Sequence, residues 1–574
     1  PLSPFPNFGL AGASNAWAAA PVRSAAGGTL LANDPHLGFT APSIWYLARL
    51  ELSSGGIIGA SIPGIPLLLS GRSDTLGWGV TYSFLDDQDI FIERLNPENA
   101  GEYLTPSGFR PFRTEVSILD VKDEASVTLS LRWTENGPVL PGSLYDIGSI
   151  TPEGHVASVA WNMLDPADTS FSAALALNNA QSIDDAIAAM SAYRTPSVNL
   201  TLIDEQKIAL KVLGRMPLRD ARHQSQGRLP TEGWRLENRW HGVAPYADNP
   251  IFYNPGGGIV GNTNNKTSNA PFPEHVSFLW GDTQRVQRWE RLMQSRKAHT
   301  RDSFIEAQLD DVSPTARTLL PLIGADLWFT GEAAPIGTPA RKRQEALLLL
   351  ADWNGEMNEH LPEPLIYAAW VYALQQRLIK DEMGPLADEF TDVEPIFLER
   401  VYRDVAGASA WCDVIQSSDQ ETCLEMAELA LDDALLWLDE TYSVPVESLR
   451  WGDAHEALHP HQVLGQIPVL SWIVNIRQST SGGDNTLQRG KTLSSGPNPF
   501  QNVHGAGYRG VYDLADPDSS VFVLSTGQSG HPLSRHYDDL GALWRRGEYV
   551  PMSLDVELAR AGSVGTTRLV PVEN

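Results

Sequence analysis

Residues able to do chemistry are concentrated in six short stretches of this 574-residue chain. Gly12-Ala13-Ser14-Asn15-Ala16-Trp17 puts a hydroxyl where a small-residue turn runs into a β-like segment. Asn33-Asp34-Pro35-His36 sets a carboxylate near an imidazole, and Asn262-Thr263-Asn264-Asn265 clusters side-chain amides. Leu85-Asp86-Asp87-Gln88-Asp89 offers closely spaced oxygens, the donors a hard cation takes. Phe278-Leu279-Trp280-Gly281 leads to Arg285, and His455-Glu456-Ala457-Leu458-His459 has the H-E-x-x-H spacing of zinc proteases.

Taken singly, most of these have a plain structural reading. A zinc site needs both histidines on one helical face with Glu456 as base, but Pro460 biases His459 away from the helical region. No third ligand is evident beyond the nearby His461, so packing is the expected role. A lone Ser14 reads as a buried serine, the asparagines as turn formers, and the acidic run as a solvated turn. A serine hydroxyl is a poor nucleophile until a base takes its proton. The chain has no Gly-x-Ser-x-Gly elbow to arrange that.

Taken together, the Ser14, Asn33–His36, Trp78–Asp89, Asn262–Asn265 and Phe278–Arg285 stretches resemble the penicillin acylase family of N-terminal-nucleophile hydrolases. The resemblance runs from Ser14 to near the C terminus, the extent of that family's β chain. It implies an α+β fold, an αββα four-layer sandwich with an inserted helical region. It also implies self-cleavage at Ala13–Ser14, although the family usually has glycine where this chain has Ala13. The freed α-amine of Ser14, with an intrinsic pKa of roughly 8, would then serve as general base. By the same resemblance the Tyr82 N–H and the Asn264 side chain donate to the oxyanion, and Arg285 orients Asn264 or the amine. His36 takes the position that contacts the nucleophile, through its backbone carbonyl or its side chain. Val80, Phe84 and Trp161 are the expected acyl-pocket residues. Asp86, the Gln88 carbonyl, Asp89, the Gly227 carbonyl and Glu274 match structural calcium ligands, and no organic cofactor is implied. The implied partner is an α chain from the same precursor, giving an αβ heterodimer.

The expected activity is hydrolysis of linear amides of N-acyl substrates, through an acyl-enzyme on Ser14. The alternatives are deacylation of acyl-homoserine lactones and, in a different class, an unprocessed, inactive scaffold protein. A formal charge of −28 argues against nucleic acid and anionic membranes as partners. No apolar run reaches the roughly 18 residues of a spanning helix. Cys412 and Cys423, eleven positions apart with no other cysteine, predict one local disulfide and an exported, periplasmic or secreted protein. Two reduced core thiols are the other reading. The chain opens on Pro1, so an upstream segment is expected to have been removed or left out.

The elements that must position these residues can be read from period and punctuation. Residues 14 to about 290 alternate short β-like runs with Gly/Pro turns, including Val127 to Trp133 and a hairpin over Leu200 to Leu213 turning at 204–207. Ser182, with Asp185 three positions on, predicts a capped helix. Glu345 to Trp353, Leu365 to Ile379 and Cys423 to Leu438 carry apolar residues at helical spacing. The expected organisation is 1–13 end of spacer, 14–295 nucleophile core, 296–445 mainly helical region, and 446–574 a β-rich return to the core.

Overall fold

The computed structural model describes residues 13–328, 332–390 and 393–570; the expected spacer residues 1–12 lie outside these. Two mainly antiparallel sheets form the centre. In the first, the opening strand Ala13–Ala19 lies between Leu30–Gly38 and Ile259–Asn262, and Leu30–Gly38 also pairs with Asn502–Ala506 and Tyr508–Asp513. The second sheet has seven strands, among them the adjacent pair Leu76–Tyr82 and Val198–Asp204.

Alternation along the strands assigns their faces, because successive side chains point to opposite sides of a sheet. Ala18 and Leu31 join a core shared with Ile58, Ile203 and Leu210 of the second sheet, so they point between the sheets. Trp17, Ala19, Leu30 and Ala32 point the other way, onto Trp289 and Met293 of the helix Thr283–Ser295 and Phe304 of Arg301–Gln308. On the far side, Trp78, Leu200 and Leu202 pack against helices Ser170–Leu177 and Ile183–Ala189. The order helix, sheet, sheet, helix is the four-layer αββα sandwich.

A second core lies among the helices Pro314–Gly324, Pro339–Asp352, Glu363–Met383 and Cys423–Tyr442, around Trp370, Leu374 and Leu431. Cys412 and Cys423 are joined by a disulfide that ties the start of the last of these helices to the preceding segment. Glu456–His459 then enters the first sheet beside Asn502–Ala506.

Candidate active site

Ser14 lies on the opening strand with the same parity as Ala16 and Ala18, so its side chain faces between the sheets, and it is buried. The Ser14 Oγ donates to the Ala13 carbonyl oxygen at 2.6 Å. The hydroxyl thus sits against the carbonyl whose bond self-cleavage would break. The Ser14 N–H donates to Asn264 Oδ1 at 2.6 Å.

Asn264 is held at φ +69°, a left-handed backbone that Asn tolerates better than most residues. Its own N–H donates to Asn262 Oδ1 at 2.7 Å, and that oxygen also accepts from Thr81 Oγ1 and Asn199 Nδ2 of the second sheet. Gly281 packs so closely that a Cβ there would lie 2.9 Å from Asn264 Cβ. Asn264 Oδ1 also accepts from Arg285 Nη2 at 3.2 Å, while Nδ2 donates to the Tyr82 carbonyl at 2.9 Å. With two donors facing one atom and a carbonyl facing the other, the amide orientation is fixed by its surroundings.

Arg285 is buried in the first turn of the helix Thr283–Ser295, where a cation opposes the helix dipole. Asp282, the N-cap, compensates: its carboxylate accepts from the Arg285 backbone N–H at 3.0 Å and from Nε at 2.9 Å. Burial works to raise the Asp282 pKa, but the charge and hydrogen bonds of Arg285 outweigh it and hold the carboxyl below its usual range. Arg285 Nη1 then reaches Asn15 Oδ1 at 3.0 Å and the Ser14 carbonyl at 3.3 Å. Ser14, Tyr82, Asn264 and Arg285 therefore meet at one place. Asn15 and Asn262, from the same short stretches but given no role there, join them, as does Asp282, which the sequence reading did not single out. For Asp282 the signal was present, an Asp immediately before a helix.

The structure narrows three expectations. His36 lies opposite Ala13 with the parity of Leu30 and Ala32, so its side chain points to the helical layer, away from the Ser14 hydroxyl. There it meets Asp34 Oδ2 at 2.7 Å, and Asp34 in turn accepts from Asn15 Nδ2 at 2.9 Å and Gln308 Nε2 at 3.1 Å. Burial pushes the Asp34 carboxyl up to about 8 and, with the cation Arg285 nearby, holds His36 well below its usual range. Low dielectric disfavours both charges; the pair holds Asn15 from behind the strand, and Asn15 in turn accepts from Arg285 Nη1.

The expected acyl-pocket residues also divide. Phe84 lines a cleft of about 370 Å³ that opens on Ala13, Asn264 and Arg285 and continues along Tyr367, Val371 and Tyr372 of the long helix and Phe500. Val80 shares the parity of Trp78 and packs in the outer core beneath the helices. Trp161 lies on the strand His155–Trp161, opposite Gln88. Neither lines the cleft.

The acidic run does not fit a divalent cation. The guanidinium of Arg219 sits between the two carboxylates, with Nε 2.8 Å from Asp89 Oδ2 and Nη1 3.3 Å from Asp86 Oδ2. Gly227 packs over this group, but Glu274 is exposed, and its neighbour His275 takes the contact with Asp86 Oδ2 at 2.8 Å. Gln88 is also exposed. Among the described residues no cluster of three or more His, Cys, Asp or Glu is arranged to hold a metal. That includes the H-E-x-x-H stretch: Glu456–His459 is a strand and His455 ends the short helix before it, so the two histidines do not share a helical face. His455 instead stacks on Trp451, and His459 packs at a tilt against Phe39.

A buried serine at the head of the inner strand of an αββα sandwich, its nitrogen bonded to the Asn264 side chain and its carbonyl to the Arg285 guanidinium, defines an N-terminal-nucleophile hydrolase. The Penicillin amidase family model matches residues 2–561, and the chain belongs to that family. It is 25% identical to the acyl-homoserine lactone acylase QuiP of Pseudomonas aeruginosa, over 95% of this chain and 67% of that protein. It is 27% identical to the penicillin acylase 2 proenzyme of Pseudomonas sp. SE83, over 98% of this chain and 69% of that one. The solved penicillin G acylase of Alcaligenes faecalis superposes with a TM-score of 0.73 at 18% identity, covering 98% of this chain and 100% of that one. The chain thus spans about two-thirds of the length of these two curated relatives.

Proposed function

We propose that the protein deacylates N-acyl amides through an acyl-enzyme on Ser14, exposed by self-cleavage of the Ala13–Ser14 bond. The observation that carries this is the meeting of Ser14 N, Asn264 Oδ1 and Arg285 Nη2 at the end of the cleft. After cleavage the nitrogen is a free amine. It takes the hydroxyl proton as Oγ attacks the amide carbon, and returns it to the leaving nitrogen. The oxyanion is stabilised by the Tyr82 N–H and by Asn264 Nδ2, which must exchange its Tyr82 carbonyl partner to do so. Water then attacks the ester with the same amine as base.

The cleft wall of Tyr367, Val371, Tyr372 and Phe500 suits an apolar acyl or amine portion. Acyl-homoserine lactones are the second reading, favoured by the names of several relatives. The word proenzyme in one relative's name supports processing here, with an α chain from the same precursor completing an αβ heterodimer. The disulfide supports a periplasmic or secreted site.

The test pairs intact-mass measurement of parent and Ser14→Ala proteins with a panel of N-acyl amides and N-acyl-homoserine lactones. The parent is expected to yield a chain beginning at Ser14 and to release carboxylic acid. Ser14→Ala is expected to stay uncut and inactive. A Ser14→Ala precursor that matures without added protease refutes the self-cleavage. A parent that stays whole and hydrolyses nothing points to a scaffold role.

A further inference from the structure

The Asp86–Asp89 segment follows directly on Tyr82 and Phe84, so whatever fixes it also fixes the residues at the nucleophile. In a site built for a divalent ion, carboxylates and carbonyls from several loops converge on a gap. Here they converge on a side chain. Arg219 is buried, and its guanidinium makes three contacts: Nε with Asp89 Oδ2 at 2.8 Å, Nη2 with the Asp86 carbonyl at 3.0 Å, and Nη1 with Asp86 Oδ2 at 3.3 Å. A planar fork of donors suits such a set of oxygens.

The surroundings are built to keep it there. Trp240 Nε1 donates to Asp89 Oδ2 at 2.5 Å, and its ring lies 5.9 Å from the Arg219 Cζ. His275 closes the other side of Asp86. Gly227, at φ +82°, approaches so closely that a Cβ would lie 3.1 Å from Arg219 Nε and 3.1 Å from Asp89 Oδ1. Four separate segments, carrying Asp86 and Asp89, Arg219 and Gly227, Trp240, and His275, are thereby tied at one point.

We propose that Arg219 is a covalently built-in cation: its guanidinium does the cross-linking work of a structural calcium ion, and the folded protein neither binds calcium at this site nor depends on it. The same geometry carries a corollary. Removing the guanidinium while leaving Asp86, both oxygens of Asp89 and the Gly227 loop in place leaves a small, acidic, oxygen-lined site of the kind calcium takes.

The inference is structural and independent of the catalytic reading. Its test is thermal melting of the purified full-length protein in calcium chloride and in EGTA. The parent is expected to melt at the same temperature in both. Arg219→Ala is expected to melt lower in EGTA and to recover in a saturable way as calcium is added. Arg219→Lys, which keeps a cation, is expected to gain nothing from calcium. A parent that is stabilised saturably by calcium, or destabilised by EGTA, overturns the proposal. So does an Arg219→Ala protein that melts at the parent temperature in EGTA. Should Arg219→Ala fail to fold, the parent titration alone still decides.

Discussion

Asn264 is where the proposed mechanism is most exposed to test, because its two side-chain atoms do separable jobs. Oδ1 accepts from the Ser14 nitrogen and from Arg285, while Nδ2 faces Tyr82 and is the proposed oxyanion donor. Asn264→Asp keeps the shape and an acceptor toward Ser14 and Arg285, but removes the side-chain donor and leaves the Tyr82 N–H alone at the oxyanion. Losing one oxyanion donor costs about 3–4 kcal/mol of barrier, roughly 100- to 1000-fold in kcat. KM should move far less, because the interaction strengthens in the transition state. A carboxylate beside the Ser14 amine also favours its charged form, so the pH–rate profile should shift upward. Asn264→Ala loses both jobs and leaves the buried Arg285 without one acceptor, which adds about 1–3 kcal/mol of destabilisation. The assay is steady-state hydrolysis of a good N-acyl amide by protein confirmed by intact mass to begin at Ser14. Mature Asn264→Asp working at near the parent kcat would refute the donor role and leave Asn264 as a turn residue.

Three further outcomes are expected. Gly281→Ala should lower kcat and stability together, because its Cβ would meet Asn264 Cβ at 2.9 Å and the Asn264 carbonyl at 3.0 Å; unchanged kinetics would show that the loop yields freely. Reduction of Cys412–Cys423 should cost about 2–3 kcal/mol for a loop this short, read by denaturant unfolding with and without reductant, and both thiols should resist alkylation before reduction. Burial depresses His455 and His459 to about 4, so the unfolded chain binds protons near 6.5 that the folded chain refuses. Their stabilisation is complete above about 6.5 and lost as pH falls toward 4, by up to about 3 kcal/mol each; His459→Phe should flatten part of that acid limb in pH-dependent melting.

The stretches that carry the chemistry, and the alternation that makes sheets around them, are local properties, and the sequence determined them. Ser182 caps its helix because a hydroxyl three positions before an amide can reach it whatever the rest of the chain does. The run Val127 to Trp133 is a strand, and Cys412 and Cys423 are bonded, for equally local reasons. The family motifs around Ser14, Asn264 and Arg285 are likewise short contiguous runs.

Facing and proximity were decided only by tertiary structure. His36 and Ser14 are neighbours across a strand pair, yet a period of two sends their side chains to opposite faces, a distinction of register that a motif does not contain. Val80 falls behind its sheet for the same reason. The acidic run looks the same in sequence whether a metal or an arginine neutralises it. Arg219 lies 130 residues from Asp89, and only the fold brings that guanidinium between the carboxylates. Long-range electrostatic partners are set by the packing of whole layers, and no local pattern encodes which charge arrives.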